Sequence, residues 1–161
     1  MDKEEQIELS LRDLLYKKAS LEKFEMKDRL KGYKSSEVHF IDYIGRNADS
    51  NVTKLANSFY VTRGAISKIS KKLMKRGLIE SFQKPDNRKE IYFRLTEQGN
   101  SVYKIHEELH KEFQERDKDI FEQVTEEQIN SLLRFLEMYS NHLDAEIQKL
   151  GADITSGTDF E

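Results

Sequence analysis

The chain holds a single proline, Pro85, in 161 residues. It stands in the stretch KPDNRK, between the strand-like runs LIESFQ and EIYFRL. Pro-Asp-Asn presets a turn, so these residues predict a β-hairpin with a charged tip. Elsewhere apolar residues return every three or four positions with few breaks, which is the period of helices. A lone hairpin inside a helical chain leaves few architectures open, and the helices just before it decide among them.

Two short helices precede the hairpin. NVTKLANSFYV reads as one, and TRGAISKISKKLMKRG as the next. The second has Thr62 as its predicted N-cap, an apolar stripe of Ala65, Ile66, Ile69 and Leu73, and Gly77 as its stop. Before them, SSEVHFIDYIG predicts a helix capped by Ser35 or Ser36 and ending near Gly45. After the hairpin, LTEQG opens a long helix from Thr96 to about Phe121. TEEQ at Thr125 is a capping box for a last amphipathic helix carrying Leu132, Leu133, Phe135, Leu136, Met138 and Leu143. A first long helix carries Ile7, Leu9, Leu11, Leu14, Leu15, Leu21, Phe24 and Leu30.

Helix, helix, helix, hairpin is the layout of a winged helix-turn-helix. The fold expected is therefore mainly α, with long terminal helices and a two-stranded β-wing. One domain spans 1–150, with the winged unit at 36–95 and a connecting helix at 96–121. Helices within 1–31 and 125–149 have apolar stripes too long for so small a unit to cover, which predicts a homodimer built on them. The polar segment 151–161 is expected to be a flexible tail.

Charge is distributed unevenly. Residues 46–94 hold 12 Lys and Arg against 4 Asp and Glu, a net of +8, and the rest of the chain is at −11. A basic middle between acidic flanks predicts a local face for a polyanion, here double-stranded DNA. On the helix from Thr62, the side away from the apolar stripe carries Thr62, Arg63, Ser67, Lys68, Lys71 and Lys72, with Gly64 permitting close approach. Lys84, Arg88 and Lys89 sit at the hairpin tip, where an arginine can enter a minor groove. No apolar run reaches the roughly 18 residues of a membrane span, and the acidic start is unlike a secretory leader. Without cysteine there is no thiolate site. The expected setting is the cytoplasm, with no membrane partner.

VTKLANSFYVTRGAISKISKKLMKRGLIES, followed by PDNRKEIYFRLTEQG, resembles the MarR family of bacterial transcriptional regulators. The wing pattern Asp86-Asn87-Arg88 and the LTEQG opening both fit. The resemblance implies a regulator, repressor-type, that binds a pseudo-palindromic operator as a homodimer. The helix from Thr62 would enter the major groove and Arg88 the minor groove. Thiol-sensing members use cysteine, which this chain lacks. Members that respond to aromatic acids bind them between the dimer helices and the lobe, so a small organic ligand is the alternative effector.

Residues 106–110 read HEELH, the letters of a zinc metalloprotease motif. HEELHKEFQER lacks the Gly and third His of the extended motif, and the helix is already needed by the fold, so a metallohydrolase is the disfavoured reading and no enzyme is expected. His106 and His110, four apart, share one helix face. With His39 they are similar to the zinc-sensing, adhesin-competence repressor branch of the MarR family. That branch joins a first-helix Glu to one His of the next helix and two on the helix after the wing. The resemblance implies zinc or another divalent metal at His39, His106 and His110, with Glu22 or Glu25 as fourth ligand. Nitrogen and oxygen donors suit Zn(II), and also Mn(II), Fe(II) or Ni(II). Val38 and Ile105 stand where that branch has carboxylates of a second site. His142 fits no such set.

Overall fold

The computed structural model describes residues 1–151. In chain order the elements are α1 (Lys3–Arg29), α2 (Ser35–Arg46), β1 (Ser50–Asn51), α3 (Val52–Phe59), α4 (Arg63–Lys75), β2 (Ile79–Lys84), β3 (Asn87–Leu95), α5 (Glu97–Glu122) and α6 (Glu126–Leu150). The tail expected at 151–161 lies, apart from Gly151, outside the described residues.

Three predicted caps are formed. The Thr62 hydroxyl accepts from the Ala65 amide at 2.9 Å. Thr96 accepts from Gly99 at 3.1 Å, and Thr125 from Gln128 at 3.2 Å. Each satisfies an amide that the first helical turn leaves without a partner. The start of α2 is different. Ser35 is already helical and neither serine hydroxyl caps it. Instead the Glu37 carboxylate reaches back to the Lys34 amide at 3.3 Å, which draws the helix start forward by a residue.

The two-stranded wing forms as expected from β2 and β3, and a further short strand joins it. The sheet has three strands, not two, in the order β1-β3-β2, all antiparallel. Ser50 and Asn51 pair with Phe93 and Tyr92. Two small polar residues leave no alternation to read, and Asn51 is at once strand and cap, its side chain accepting from the Lys54 amide at 2.8 Å. Between α3 and α4 the chain turns at Tyr60, held in the left-handed region at φ 54° and ψ 44° while its amide donates to Ala56.

The core lies in the winged lobe. Phe40 and Ile41 of α2, Leu55 of α3, Ile66 and Leu73 of α4, Leu78, and Ile79 of β2 are fully buried, and Leu109 of α5 joins them. The Ile66–Ile69–Leu73 stripe of α4 thus faces inward and turns its opposite side to solvent. The outer helices are unlike this. Leu14, Leu15 and Phe24 of α1 are exposed, and α6 buries no residue at all. No helix among the described residues is long and apolar enough to cross a membrane.

Candidate nucleic-acid interface and metal site

The outward face of α4 begins at its cap. The Thr62 hydroxyl is committed to Ala65, and the Arg63 guanidinium donates to the Thr53 hydroxyl of α3, tying together the two helices of the turn motif. A Cβ built at Gly64 would meet only the Thr62 hydroxyl, at 3.8 Å, so the surface there is open. Ser67 is half-buried, and its carbonyl accepts from Ser70. Lys68 and Lys71 are exposed and make no ion pair among the described residues.

Lys72 is held differently. Its ammonium lies 2.7 Å from Glu37, whose side chain is only 2% exposed. Arg76, one turn on, lies 2.6 Å from the other Glu37 oxygen, donates to the Gly32 carbonyl, and stacks over Tyr33. Burial pushes the Glu37 carboxyl up, but Lys72, the Lys34 amide and Arg76 outweigh it and hold the pKa below its ordinary value. Lys72, expected on the DNA-facing side, and Arg76 at the end of the helix thus anchor α4 to α2. Sequence reading missed Glu37 and Arg76, because a carboxylate inside a capping box gives no sign of a second role.

On the wing, Lys84 pairs with Asp49 at 2.7 Å and lies over the Tyr92 ring. Arg88 and Lys89 are exposed at the tip without an ion pair among the described residues. The Arg88 carbonyl accepts from Gln83, which stiffens the turn from which that side chain projects.

The second group of residues lies between the lobe and the long helices. Glu22, Glu25 and Arg29 fall at i, i+3 and i+7, on one face of α1. Arg29 bonds Glu108 at 2.5 Å and Glu112 at 2.8 Å, both on α5. Arg116 of α5 takes Glu25 at 2.7 Å. These pairs lay α1 along α5 and give the two carboxylates different surroundings. Glu25 is engaged by Arg116, while Glu22 Oε1 lies 3.0 Å from His39 Nε2 and 3.5 Å from His106 Nε2. His110 Nε2 faces His106 Nε2 at 3.1 Å. The donor atoms of Glu22, His39 and His106 all lie within 4.8 Å of one another, and His110 adjoins them through His106.

These separations suit a metal. A tetrahedral zinc with donors about 2.0–2.1 Å away has donor–donor edges of about 3.3 Å. Within the Glu22, His39 and His106 set, the observed 3.0 and 3.5 Å bracket that value, while His110 lies 3.1 Å from His106 and outside that set. Hydrogen bonds from His106 and His39 hold the Glu22 carboxyl well below the usual carboxylate range. Burial pushes His106 down, but Asp42 and Glu22 prevail and raise it to about 9. Burial and the neighbouring His106 both lower His110. His106 thus favours a positive charge and His110 disfavours one, and an ion held by His106 would have to displace a proton from that ring. Val38 and Ile105 belong to the apolar packing, and His142 is exposed on α6. Glu107 accepts from the Tyr103 hydroxyl at 2.9 Å and is not among the clustered donors.

A helix pair with an exposed basic face, followed by a hairpin with a cationic tip, defines a winged helix-turn-helix protein. The MarR family model matches residues 34–91. The HTH-type transcriptional regulator PchR of Bacillus subtilis (strain 168) is 34% identical over 111 residues, covering 69% of this chain and 66% of PchR's own length. Among solved structures, FabT of Streptococcus pneumoniae in complex with DNA superposes with a TM-score of 0.77 at 23% identity, over 90% of this chain and 100% of that one. The adhesin competence repressor AdcR of Streptococcus pyogenes superposes at 0.66 and 17% identity, over 89% and 98%. At such identities these two likenesses concern the fold. The chain belongs to the MarR family. HEELH is accordingly part of a regulator's connecting helix and not a hydrolase motif.

Proposed function

We propose that the protein is a DNA-binding transcriptional regulator acting as a homodimer on a pseudo-palindromic operator, with a divalent metal such as zinc adjusting its affinity. In this reading α4 enters the major groove through Arg63, Gly64, Ser67, Lys68 and Lys71, and Arg88 with Lys89 reaches the minor groove. Lys72 and Lys84 contribute less, since each already has a carboxylate partner. The apolar faces of α1 and α6 pair with a second copy.

One observation carries the metal reading. The clustered donors come from three helices: Glu22 from α1, His39 from α2 and His106 from α5. An ion there would bind the winged lobe, through α2, to the long helices that leave it. A bound metal supplies charge neutralisation and fixed angles. Glu22, His39, His106 and His110 would hold it, and α2 would pass the constraint to the lobe. Two copies read two half-sites about one helical turn apart, so fixing the lobe angle selects which spacings fit. The ion shifts that equilibrium only by its differential affinity for the two arrangements.

The test is an operator mobility shift with zinc titrated in and then chelated, on wild type and on His106→Ala. Zinc is expected to change wild-type affinity by about 5–150-fold and to leave the variant unmoved. A wild type that ignores zinc while still binding operator leaves the DNA reading and removes the metal from it. One observation favours the organic-effector alternative in that event. A cavity of about 700 Å³ lies where α1 meets α2, with Met26, Leu30 and Tyr33 beside Lys23, Lys27 and Lys31, a lining suited to an apolar anion.

A further inference from the structure

We propose that Asp42 is a positioning residue for this metal centre, fixing the His106 ring so that Nε2, and not Nδ1, is presented to the ion. The inference rests on the metal reading above and deepens it. Asp42 lies one turn after His39 on α2, so helical geometry puts both on the face turned toward α5. Its Oδ1 is 3.1 Å from His106 Nδ1. Its Oδ2 accepts from Arg46 Nε at 2.9 Å, so the carboxylate is gripped from both ends. His106 is 2% exposed, and its other nitrogen already points at Glu22 and His110.

An imidazole has two nitrogens on opposite edges of the ring, and only one can enter a coordination sphere. The neutral ring carries one N–H and one lone pair, and the partner of one nitrogen decides which is which. A carboxylate accepts only. Asp42 therefore keeps a hydrogen on Nδ1, so an ion that displaces the hydrogen on Nε2 meets the lone pair there, where the other donors converge. Its negative charge also makes that lone pair a better donor. Among the described residues, neither His39 nor His110 has a carboxylate on Nδ1. His106 is the ring bonded to both other α5 and α1 donors, so its orientation governs the whole set. Asp42 also joins α2 to α5 without any ion, which brings the donors together before the metal arrives. That preorganisation reduces what binding must spend on ordering the site.

The experiment measures zinc binding by calorimetry on the full chain as wild type, Asp42→Ala and Asp42→Asn, with nitrogen-15 NMR of the histidine rings. Asp42→Ala is expected to weaken zinc by about 10–100-fold, the usual effect of losing such an outer partner. Asp42→Asn keeps an oxygen that accepts from Nδ1 and is expected to recover most of the loss. A purely structural role would not separate these two. In zinc-loaded wild type, NMR is expected to find the His106 hydrogen on Nδ1. Zinc-bound wild type with that hydrogen on Nε2 overturns the proposal, and this reading needs no variant to fold. Asp42→Ala binding zinc within threefold of wild type also overturns it, while leaving the metal site standing. Wild type that takes up no zinc defeats the metal reading itself, and the role of Asp42 falls with it.

Discussion

Replacing Gly99 by alanine should damage both the fold and the proposed metal site, and the structure sets the scale. Gly99 is buried near the start of α5, against the end of the α4–β2 connection. A Cβ there would stand 1.9 Å from the Leu78 carbonyl oxygen and 2.9 Å from its carbon. Carbon and oxygen in van der Waals contact sit about 3.3 Å apart, so the helix start must retreat by about 1.4 Å. Both sides of the clash are backbone, and no side-chain rotation relieves it. The retreat strains the Thr96 amide bond to that same Leu78 oxygen, now 3.1 Å, and the Thr96 hydroxyl bond to the Gly77 carbonyl, now 2.6 Å. Overpacking costs about 1–3 kcal/mol and a weakened cap about 1 more, so a loss of about 3 kcal/mol is expected. Urea unfolding followed by circular dichroism, at one fixed protein concentration, should show the midpoint falling by about 1–2 M for a slope of about 2 kcal/mol/M. His106 and His110 lie seven and eleven residues further along, about 10 and 16 Å up the helix. Since metal donors tolerate about 0.2 Å, zinc affinity should fall as well. Gly64→Ala is the control, because its new methyl meets nothing closer than 3.8 Å. It should raise stability by about 0.5–1 kcal/mol through helix propensity. A Gly99→Ala midpoint equal to wild type would refute the seating of α5 on Leu78.

Other expectations concern DNA and acid. Lys68→Ala should lower the slope of log affinity against log salt by about 0.9, whereas Lys72→Ala should change it less because Glu37 already neutralises that ammonium. Arg88→Ala should cost about 1–3 kcal/mol of operator affinity, and an unchanged affinity would argue against a minor-groove wing. The Glu37 carboxyl is held below its ordinary 4.5, so its stabilisation is present above that pH and is lost as pH falls through the lowered value. Acid titration of stability should accordingly be flatter for Glu37→Gln than for wild type below about pH 4.5, and parallel curves would contradict the pairing.

Much of the lobe was legible because its signals are local. Thr62, Thr96 and Thr125 cap helices through contacts three residues away, and the Ile66–Ile69–Leu73 stripe needs only the helical period. Features that depend on distant partners were not legible. Strand β1 exists because Phe93 and Tyr92 lie alongside it, and two residues have no period. Glu22 and Glu25 share a face of α1, and only Arg116, 91 residues on, tells them apart. Lys72 looked like its neighbours Lys68 and Lys71 until the buried Glu37 came beneath it. Asp42 carried no sequence signal, since a lone Asp on a helix gives none until His106, 64 residues away, is brought against it. His39, His106 and His110 were singled out by resemblance; contacts around Glu22 bring His39 and His106 together, and His110 adjoins His106.

The α6 helix has 25 residues and buries none of them, although Leu132, Leu133, Phe135, Leu136, Met138 and Leu143 line it. Such a face is only partly covered within its own chain, so under the proposed dimer the stability of the helix would be a function of concentration. Covering that face with a second copy would make the apparent melting temperature climb with the logarithm of total protein. Dilution would then loosen α6 before the lobe, whose core is closed within one chain. Occupancy of an operator would respond to the square of abundance at low copy number, so the quantity of this protein would itself be a regulatory input.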